Sequence, residues 1–595
     1  MTPQRLRMLF LGGCCALSTA VVWTSANPVP HAGGDNAGYI ALAHDLLTNG
    51  TYNDAFDPEG LPHTKYPPVF PALLALLMAM GARSWVAFKS VAGVATVAAV
   101  AFSYLWAERV LRPAGAFAVG LVMALAAGVV YYSQWVLSDP VFLALTTLAL
   151  FALAKADGTP REVGATPGKV DATPGKAGAT PGTAEATPDG TASTGADASI
   201  QVPWLALGVV AAGLAYFTRS AGLPLVLAVV GWLALRRAWR SLAVTSVALG
   251  VPMVAWWLRA RSVQGVAQYS SEFWMVNPYD PSLGTVGFGG LVGRVVENAA
   301  GYTTAHLPVG IVGSGAPAPG LIGTLLVGAA LVGWLVRTRD TLGPAELFFP
   351  LYWGVILLWP TVWSGDRFAL PLLPLVFVYG AVAFGLLSRR VPEAAAPVVG
   401  TVLVLALLLP AAEAWRGAVT ASSACPEDVR RDDVWACYGP GVQNFMAAAA
   451  WSRHALPDGA AVLTRKPRHF YLQSGLPSRA FAFFEEPDPH LDLADALGAR
   501  YVLLDQWDGL ARRYVASAVT RRPGAFCFVR GFGSAAGGGS QLLGVLPPER
   551  RDATRGGGAD VRLEGCDASY TSEQAATAGD YSSSGRIPLL EGLDS

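Results

Sequence analysis

Residues 69–82, VFPALLALLMAMGA, decide how this chain of 595 residues is arranged. The stretch is apolar, but an α-helix needs about 20 apolar residues to cross the roughly 30 Å hydrocarbon core of a membrane. Pro67, Pro68 and Pro71 also disturb the start of any helix here. We therefore predict that 69–82 forms a re-entrant or juxtamembrane helix at one membrane interface and does not cross.

The composition on either side of this stretch is that of a membrane protein. Charged residues make up 14% of the chain and hydrophobic residues 53%, whereas soluble domains carry about 25% charge. The 42 basic and 42 acidic residues cancel, so the chain has no global field of the kind that binds nucleic acid. Membrane lipids are expected partners, and nucleic acid is not.

Eleven other apolar stretches are long enough to be membrane spans. The first follows Arg5 and Arg7, and a cleaved signal peptide is an alternative for it, although the many later spans favour an uncleaved first span. The predicted spans lie near 8–26, 85–107, 114–132, 138–155, 203–217, 221–235, 242–258, 321–336, 346–363, 368–387 and 397–414.

The distribution of basic residues tests whether 69–82 crosses. Cytoplasmic loops are enriched in Lys and Arg. If 69–82 does not cross, the basic loops at 108–112, 236–240, 337–339 and 389–390 are all cytoplasmic; if it crosses, all four are outside. The first arrangement predicts a multi-pass protein of the inner (plasma) membrane, with a cytoplasmic N-terminus and an extracytoplasmic C-terminal domain.

The predicted transmembrane domain, 1–419, contains three long connections. Outer loops are expected at 27–84 and 260–320. Residues 157–201 contain ATPGKVD, ATPGKAG, ATPGTAE and ATPDGTA at a period of seven. Recurrent Pro-Gly excludes a helix, and nothing apolar forms a coiled-coil seam. We interpret 157–201 as a flexible cytoplasmic linker.

A small α/β domain is predicted at 420–550, with a disordered tail at 551–595. Helices are expected at 442–456 and 491–497, and short buried strands at 460–464 and 500–504. An extracytoplasmic domain permits disulfides. Candidate pairs are Cys425 with Cys437 and Cys527 with Cys566, although the sequence leaves the pairing open.

Two acidic residues lie at helix starts that the topology places outside. Asp35 opens an amphipathic segment in GGDNAGYIALAHDLL, and Asp139 opens a span in VLSDPVF. Both are typical positions for helix-capping residues. The alternative is catalysis, because a carboxylate at a helix N-terminus keeps a low pKa and can accept a proton. For Asp139, capping is the stronger interpretation.

Cations also accumulate outside, where they are normally disfavoured. Lys65, in HTKYPPVF, is either a snorkelling interfacial lysine or a phosphate ligand. Arg219, in YFTRSAGLPL, occupies a hairpin too short to bring it fully into water. Arg367, in SGDRFALPLLPL, could simply pair with Asp366. A bound anion such as a lipid phosphate explains the group.

Taken in order, these segments resemble the GT-C superfamily of membrane glycosyltransferases. The likeness is greatest to its protein O-mannosyltransferase and aminoarabinose transferase branch. It rests on GGDNAGYIALAHDLLTNGTY, KYPPVFPALLAL, LSDP, YFTRSAGLPL and DRFALPLLPL, and on ALPDGAAVLTRKPRHFYLQSG and GARYVLLD in the C-terminal region. It covers most of residues 1–530 apart from 157–201.

The resemblance implies an inverting transferase on the outer face that takes a sugar from a polyprenyl phosphate. Asp35 would be the general base, and Asp139 would orient the acceptor or the sugar. Lys65 would bind the donor phosphate with Arg219 or Arg367, and His63 and Tyr66 are weaker substrate-binding candidates. The acceptor is a glycan, a lipid or a protein hydroxyl.

The match has two departures. Asn36 stands where many protein mannosyltransferases have Glu, and Thr64 stands where some lipid A-modifying members have Glu. No cofactor is predicted; His31, His63 and Asp35 share a loop, but their spacing does not indicate a metal site. Two alternatives remain open, namely a transporter or flippase of envelope lipids or glycans and a non-enzymatic assembly scaffold.

Overall fold

A computed structural model describes residues 2–158, 200–263, 268–390, 392–425, 433–533, 538–551, 563–576 and 586–594. Most of the predicted linker, residues 159–199, lies outside this described part. The N-terminal part is helical. Its helices are α1 (Pro3–Thr24), α2 (Gly34–Thr48), α3 (Val69–Ala79), α4 (Trp85–Ala107), α5 (Pro113–Leu125), α6 (Ala127–Tyr132), α7 (Asp139–Ala156), α8 (Val202–Thr218), α9 (Leu223–Leu235), α10 (Trp239–Ser262), α11 (Gln268–Trp274), α12 (Phe288–Gly301), α13 (Leu307–Val312), α14 (Pro319–Asp340), α15 (Pro344–Leu358), α16 (Asp366–Ala369), α17 (Leu373–Ser388) and α18 (Ala395–Ser423).

All eleven predicted spans coincide with helices. Among the described residues, seven helical stretches are long and apolar enough to cross a membrane: α1, α4, α7, α10, α14, α16 with α17, and α18. The other four are the shorter apolar helices α5, α8, α9 and α15, of 13 to 17 residues. The chain is thus a polytopic α-helical protein.

The predicted span 114–132 is not one continuous helix, because it is broken between α5 and α6. Ala126 leaves the helical backbone conformation (φ −52°, ψ 122°). Beyond the break, Gly128 packs directly on α13, where an added Cβ would lie only 3.1 Å from the Cα of Gly310. The break therefore allows α6 and α13 to approach each other closely, which a pattern of apolar residues does not reveal.

Helix α3 has 11 residues, which corresponds to about 16 Å at a rise of 1.5 Å per residue. It is therefore too short to cross a hydrocarbon core. One face, formed by Phe70, Leu74 and Met78, is fully buried, and the helix packs mainly against α2. The structure thus agrees with the prediction that 69–82 is not a span.

The second predicted outer loop contains a helix that the sequence analysis missed. Two polar side chains of α12 face the protein: Arg294 donates to the Phe273 carbonyl (2.6 Å), and Asn298 donates to the Leu357 and Trp359 carbonyls at the end of α15. Its apolar residues Phe288, Val292 and Val296 are exposed instead. This outward apolar face is that of a helix lying against lipid.

The C-terminal region is an α/β domain, as predicted. Its strands form one sheet in the order β2-β1-β3-β5-β4, in which β2, β1 and β3 are parallel and β5 is antiparallel to both its neighbours. Its elements are α19 (Pro440–Ala455), β1 (Val462–Leu463), α20 (Pro467–Ser474), β2 (Ser478–Arg479), α21 (Pro487–Leu497), β3 (Tyr501–Leu504), α22 (Gly509–Arg521), β4 (Phe526–Phe532) and β5 (Ser540–Val545).

The two faces of this sheet have different neighbours. Leu463 and Val502 pack against α21 and α22. Val462, Tyr501 and Leu503 belong instead to a hydrophobic core that also contains α2 and α3. The first loop and the C-terminal domain therefore share one core.

Both candidate disulfides are present, Cys425–Cys437 and Cys527–Cys566. The second bridge ties part of the predicted disordered tail to β4. In the tail, Tyr570, Ile587 and Leu590 are fully buried, because they fill the core shared with the first loop. The prediction of disorder for 551–595 is therefore wrong for 563–576 and 586–594.

Candidate functional site

Asp35 lies in the first turn of α2 but does not cap it. The helix begins after Gly33, and no side chain caps it. Asp35 instead turns towards the membrane domain, where Oδ1 accepts a hydrogen bond from the Tyr66 hydroxyl (2.6 Å) and Oδ2 accepts one from Nη1 of Arg367 (2.7 Å). The capping interpretation is thus wrong for this residue.

Asp139, at the start of α7, also contacts arginine side chains and does not cap its helix. Oδ2 accepts from Nε of Arg367 (2.7 Å), and Oδ1 is paired with Nη1 of Arg219. Ser138, at the N-cap position, hydrogen-bonds the Tyr39 hydroxyl (2.8 Å) and leaves the helix end uncapped by a side chain. Arg367 therefore links the two carboxylates to each other through hydrogen bonds, and the alternative of a simple pair with Asp366 does not describe its contacts.

The result is a continuous polar chain, Tyr66–Asp35–Arg367–Asp139–Arg219. These residues come from a loop, from α2, α7 and α16, and from the turn after α8. Direct contact requires all five to lie at the same end of the helical domain. The proposed site residues Asp35, Asp139, Arg219 and Arg367 are therefore brought together, as the topology with a non-crossing 69–82 predicts.

The two carboxylates differ in access. The Asp35 side chain keeps 35% of its surface exposed, whereas Asp139 keeps 4%. Burial disfavours the ionised form of Asp35, but the charge of Arg367 and the hydrogen bond from Tyr66 outweigh burial and hold the pKa of this carboxyl well below its usual range. Asp35 is thus an ionised carboxylate that a substrate can reach.

Lys65 lies next to the polar residues Tyr66 and Asp35, but its partner is Glu272. Its Nζ is 3.0 Å from both carboxylate oxygens of Glu272 in α11, and it lies 5.4 Å from the centre of the Trp363 ring. Because Tyr66 donates a hydrogen bond to Asp35, the adjacent Lys65 lies close to the site. The charge of Lys65 is neutralised by Glu272. No sequence pattern pointed to Glu272 as the partner of Lys65.

His63 holds the loop together and does not face an open site. Its Nδ1 is 2.7 Å from Oδ1 of Asp54, and its Nε2 accepts a hydrogen bond from the Tyr66 backbone (2.7 Å). It is 1% exposed, and burial lowers the pKa of its imidazole. Arg259 donates to the carbonyls of His63 and Tyr52. Both residues thus fix the backbone that carries Lys65 and Tyr66.

The C-terminal domain contributes cations that the sequence analysis did not assign to the site. Arg468 of α20 donates from Nη1 to the Tyr66 hydroxyl (2.7 Å) and lies 4.0 Å from Oδ1 of Asp35. Lys466 is near enough to Asp35 to interact electrostatically. A signal existed, because both follow a parallel strand, and ligand-binding residues concentrate at the carboxyl ends of such strands.

No group of three or more His, Cys, Asp or Glu side chains suited to a metal ion occurs in the described part of the chain. The site instead consists of two carboxylates, a phenol and several cations. Chemically, such an arrangement can bind an anion, and its accessible carboxylate can accept a proton.

Comparison with known proteins gives a structural match without a sequence match. The sequence matches no protein-family model and no curated protein. The structure is similar to the Archaeoglobus fulgidus oligosaccharyltransferase tethered to an acceptor peptide, with 12% identity, a TM-score of 0.53, and coverage of 89% of this chain and 74% of that one. It is also similar to ArnT from Cupriavidus metallidurans bound to undecaprenyl phosphate, with 12% identity, a TM-score of 0.52, and coverage of 92% and 99%.

The fold defined by these matches is that of the GT-C membrane proteins, a polytopic helical domain followed by a small C-terminal sheet domain. Apo ArnT from the same organism matches equally well, with 13% identity, a TM-score of 0.51, and coverage of 90% of this chain and 97% of that one. The GT-C fold expected from the sequence is therefore confirmed over nearly the whole chain.

Proposed function

We propose that this protein is a membrane glycosyltransferase that moves a sugar from a polyprenyl-phosphate donor to an acceptor hydroxyl on the outer face of the membrane. The observation that carries the proposal is the accessible carboxylate of Asp35, which accepts hydrogen bonds from Arg367 and Tyr66. The similar ArnT structure contains undecaprenyl phosphate, and the similar oligosaccharyltransferase carries an acceptor peptide.

In the proposed reaction, Asp35 is the general base. The acceptor oxygen attacks the anomeric carbon while its proton moves to Asp35, and the bond from that carbon to the phosphate oxygen breaks. Polyprenyl phosphate leaves as an anion from the opposite face, so the anomeric configuration inverts. Because phosphate is a good leaving group when cations neutralise it, the reaction needs no general acid.

Because the pKa of Asp35 is low, its carboxylate is a weak base, which is unfavourable for a general base. Two features of the proposed reaction compensate for this weakness. Oδ1 of Asp35 accepts a hydrogen bond from Tyr66 and Oδ2 accepts one from Arg367, and a carboxylate has about four acceptor positions. An acceptor hydroxyl can therefore bind Asp35 without displacing Arg367 or Tyr66. Proton transfer is then driven by formation of the glycosidic bond, which makes the attacking oxygen strongly acidic as the reaction proceeds.

Asp139 has a supporting role in this proposal. It is buried and bound by both arginines, so it holds Arg367 in the orientation that meets Asp35. The second acidic position thereby positions the first, and Asp139 itself does not contact the acceptor.

In this proposal, the donor phosphate binds at Lys65. Glu272 binds Lys65 with both carboxylate oxygens, which is the contact a phosphate would make. A donor would therefore replace Glu272, and Lys466 provides further positive charge beside Asp35. The acceptor class stays open among glycan, lipid and protein hydroxyls.

The test compares cell-envelope glycans, lipids and glycoproteins by mass spectrometry in cells with and without the gene. We expect one hexose or pentose modification to disappear without the gene and to return with the wild-type gene. The Asp35→Asn variant should not restore it, whereas Asp458→Asn, which changes an exposed carboxylate of the C-terminal domain, should. Sugar transfer by Asp35→Asn would remove the base assignment.

A further inference from the structure

Arg468 reaches the candidate site from the other domain. It lies in the first turn of α20, 402 residues beyond Tyr66 in sequence, yet Nη1 donates to the Tyr66 hydroxyl at 2.7 Å. The guanidinium also lies over two aromatic rings, 5.1 Å from the centre of Tyr66 and 5.2 Å from that of Phe56. Burial alone would lower its pKa, but nearby Tyr66 and Asp35 raise the pKa of Arg468 above the usual arginine value.

The first loop is shaped to admit this side chain. At Gly38, an added Cβ would lie 2.9 Å from Cδ of Arg468 and 3.1 Å from its Nε, so α2 has no side chain where the arginine passes. Next to it in α20, His469 makes a contact of 3.2 Å from Nε2 to the Gly33 carbonyl at the start of α2. Two successive residues of the C-terminal domain thus contact the element that carries Asp35.

The chemistry of the donors fixes the direction of the hydrogen bonds. A guanidinium can only donate, and a tyrosine hydroxyl has one proton. Because Arg468 donates to the Tyr66 oxygen, the single phenolic proton is left to point at Oδ1 of Asp35, 2.6 Å away. Without Arg468, the Tyr66 oxygen loses this donor, and another group can donate to it in place of the guanidinium.

We propose that Arg468 is a positioning residue of the active site, which acts on Asp35 through Tyr66. This inference rests on the proposed glycosyl transfer for its catalytic consequence. By fixing one Asp35 oxygen, the pair Arg468–Tyr66 directs the remaining acceptor positions towards the substrate. It also makes the competent site depend on docking of the C-terminal domain against the first loop, so that one domain completes the site of the other.

The first experiment is independent of sugar transfer. In the full-length protein in detergent, 3-fluorotyrosine is placed at position 66 and its ¹⁹F resonance is followed. Asp35→Asn should shift the resonance strongly in the wild-type background and by less than half as much in an Arg468→Gln background. Arg512→Gln, an exposed control in the same domain, should leave the Asp35 effect unchanged. An undiminished Asp35 effect in Arg468→Gln would overturn the proposal.

The second experiment measures transfer. Arg468→Gln should lower kcat about tenfold, the scale of a lost hydrogen bond to a charged group, with little change in KM. Arg468→Lys should restore part of the loss. In a Tyr66→Phe background, Arg468→Gln should have no further effect, because the two residues act as one unit; additive losses would contradict the proposal.

The two experiments separate the possible failures. One outcome is that the wild type transfers no sugar while Arg468→Gln still diminishes the effect of Asp35→Asn on the ¹⁹F resonance. In that case the proposed function fails and the positioning contact stands. If the wild type transfers sugar and Arg468→Gln is as active as Arg512→Gln, the positioning role fails and the proposed function stands. Thermal unfolding of each variant shows whether a loss reflects misfolding, and Arg468→Lys provides the variant with the smaller structural change.

Discussion

At the scale of single residues, Arg367 joins the two carboxylates of the candidate site, because it donates to both Asp35 and Asp139. Asp35 and Asp139 occupy first-turn positions where capping is common, and nothing local distinguishes a cap from a ligand. Their partner Arg367 is 332 residues away from Asp35. The predicted topology was the argument that placed these residues on the same side of the membrane. The partners that sequence could not supply, Glu272 and Arg468, come from the second loop and the other domain.

The contact of Lys65 with Glu272 leads to a prediction about donor binding. Glu272→Ala removes the carboxylate that competes with a phosphate for Lys65, so affinity for undecaprenyl phosphate should rise about fivefold, as expected for a partly exposed ion pair. Native mass spectrometry of the purified protein measures this affinity. Glu297→Ala, an exposed position in α12, should bind as the wild type does, and Lys65→Met should bind less. Unchanged or weaker binding by Glu272→Ala would show that Glu272 does not compete.

At the scale of elements, the regular parts of the C-terminal domain were predictable and its connections were not. The helices at 440–455 and 487–497 and the strands β1 and β3 lie within a few residues of their predicted positions, because each is a run of apolar residues with a clear period. The tail segments 563–576 and 586–594 lie within a stretch, 551–595, that is rich in Gly and Ser. They are ordered by a disulfide and by a few buried side chains, which local composition does not reveal.

Asp505, which follows β3, leads to a prediction about pH. Burial, together with the nearby Asp508, raises the pKa of this fully buried carboxyl to about 7, although the Trp507 backbone N–H donates to it (2.9 Å). The folded protein favours the protonated form of Asp505. The contribution of this carboxyl to the stability of the folded state is therefore complete below its unfolded pKa of about 3.9 and is lost as pH rises through about 7.

Asp505→Asn cannot ionise, so this source of pH dependence should vanish. The melting temperature of the wild type should fall between pH 5 and pH 8 more steeply than that of Asp505→Asn. The difference between the two curves is the measurement, and Asp458→Asn, an exposed carboxylate of the same domain, is the control. Parallel curves for wild type and Asp505→Asn would show that Asp505 titrates at an ordinary pH.

At the scale of the whole molecule, the insertion at 157–201 begins and ends at one point of the fold. The backbone N–H of Gln201 donates to the Ala156 carbonyl (3.0 Å), and Asp157 pairs with Arg236. Because the two ends meet, replacing 159–199 with four Gly and Ser residues should leave folding and sugar transfer unchanged. A longer deletion that also removes Asp157 should lower the melting temperature. Loss of transfer in the shorter deletion would give the repeat a role of its own.

The topology leads to the last prediction, because the site exists only if 69–82 stays on one side of the membrane. Direct bonds join Asp35, Arg367, Asp139 and Arg219, while Asp139 and Asp157 are separated by the 18 residues of α7, which span about 27 Å. We therefore predict that the polar chain and the basic ends of the spans face opposite compartments.

Single cysteines test this arrangement in a background in which Cys14 and Cys15 are alanine. A membrane-impermeant maleimide added to intact cells should label Thr48→Cys, Met80→Cys and Asp458→Cys, which flank α3 or lie in the C-terminal domain and are all exposed. Gly158→Cys, at the far end of α7, should react only after the membrane is permeabilised. Labelling of Thr48→Cys with protection of Met80→Cys would mean that 69–82 crosses. Asp35 would then lie in a different compartment from Asp139, and the bonds that define the site could not form.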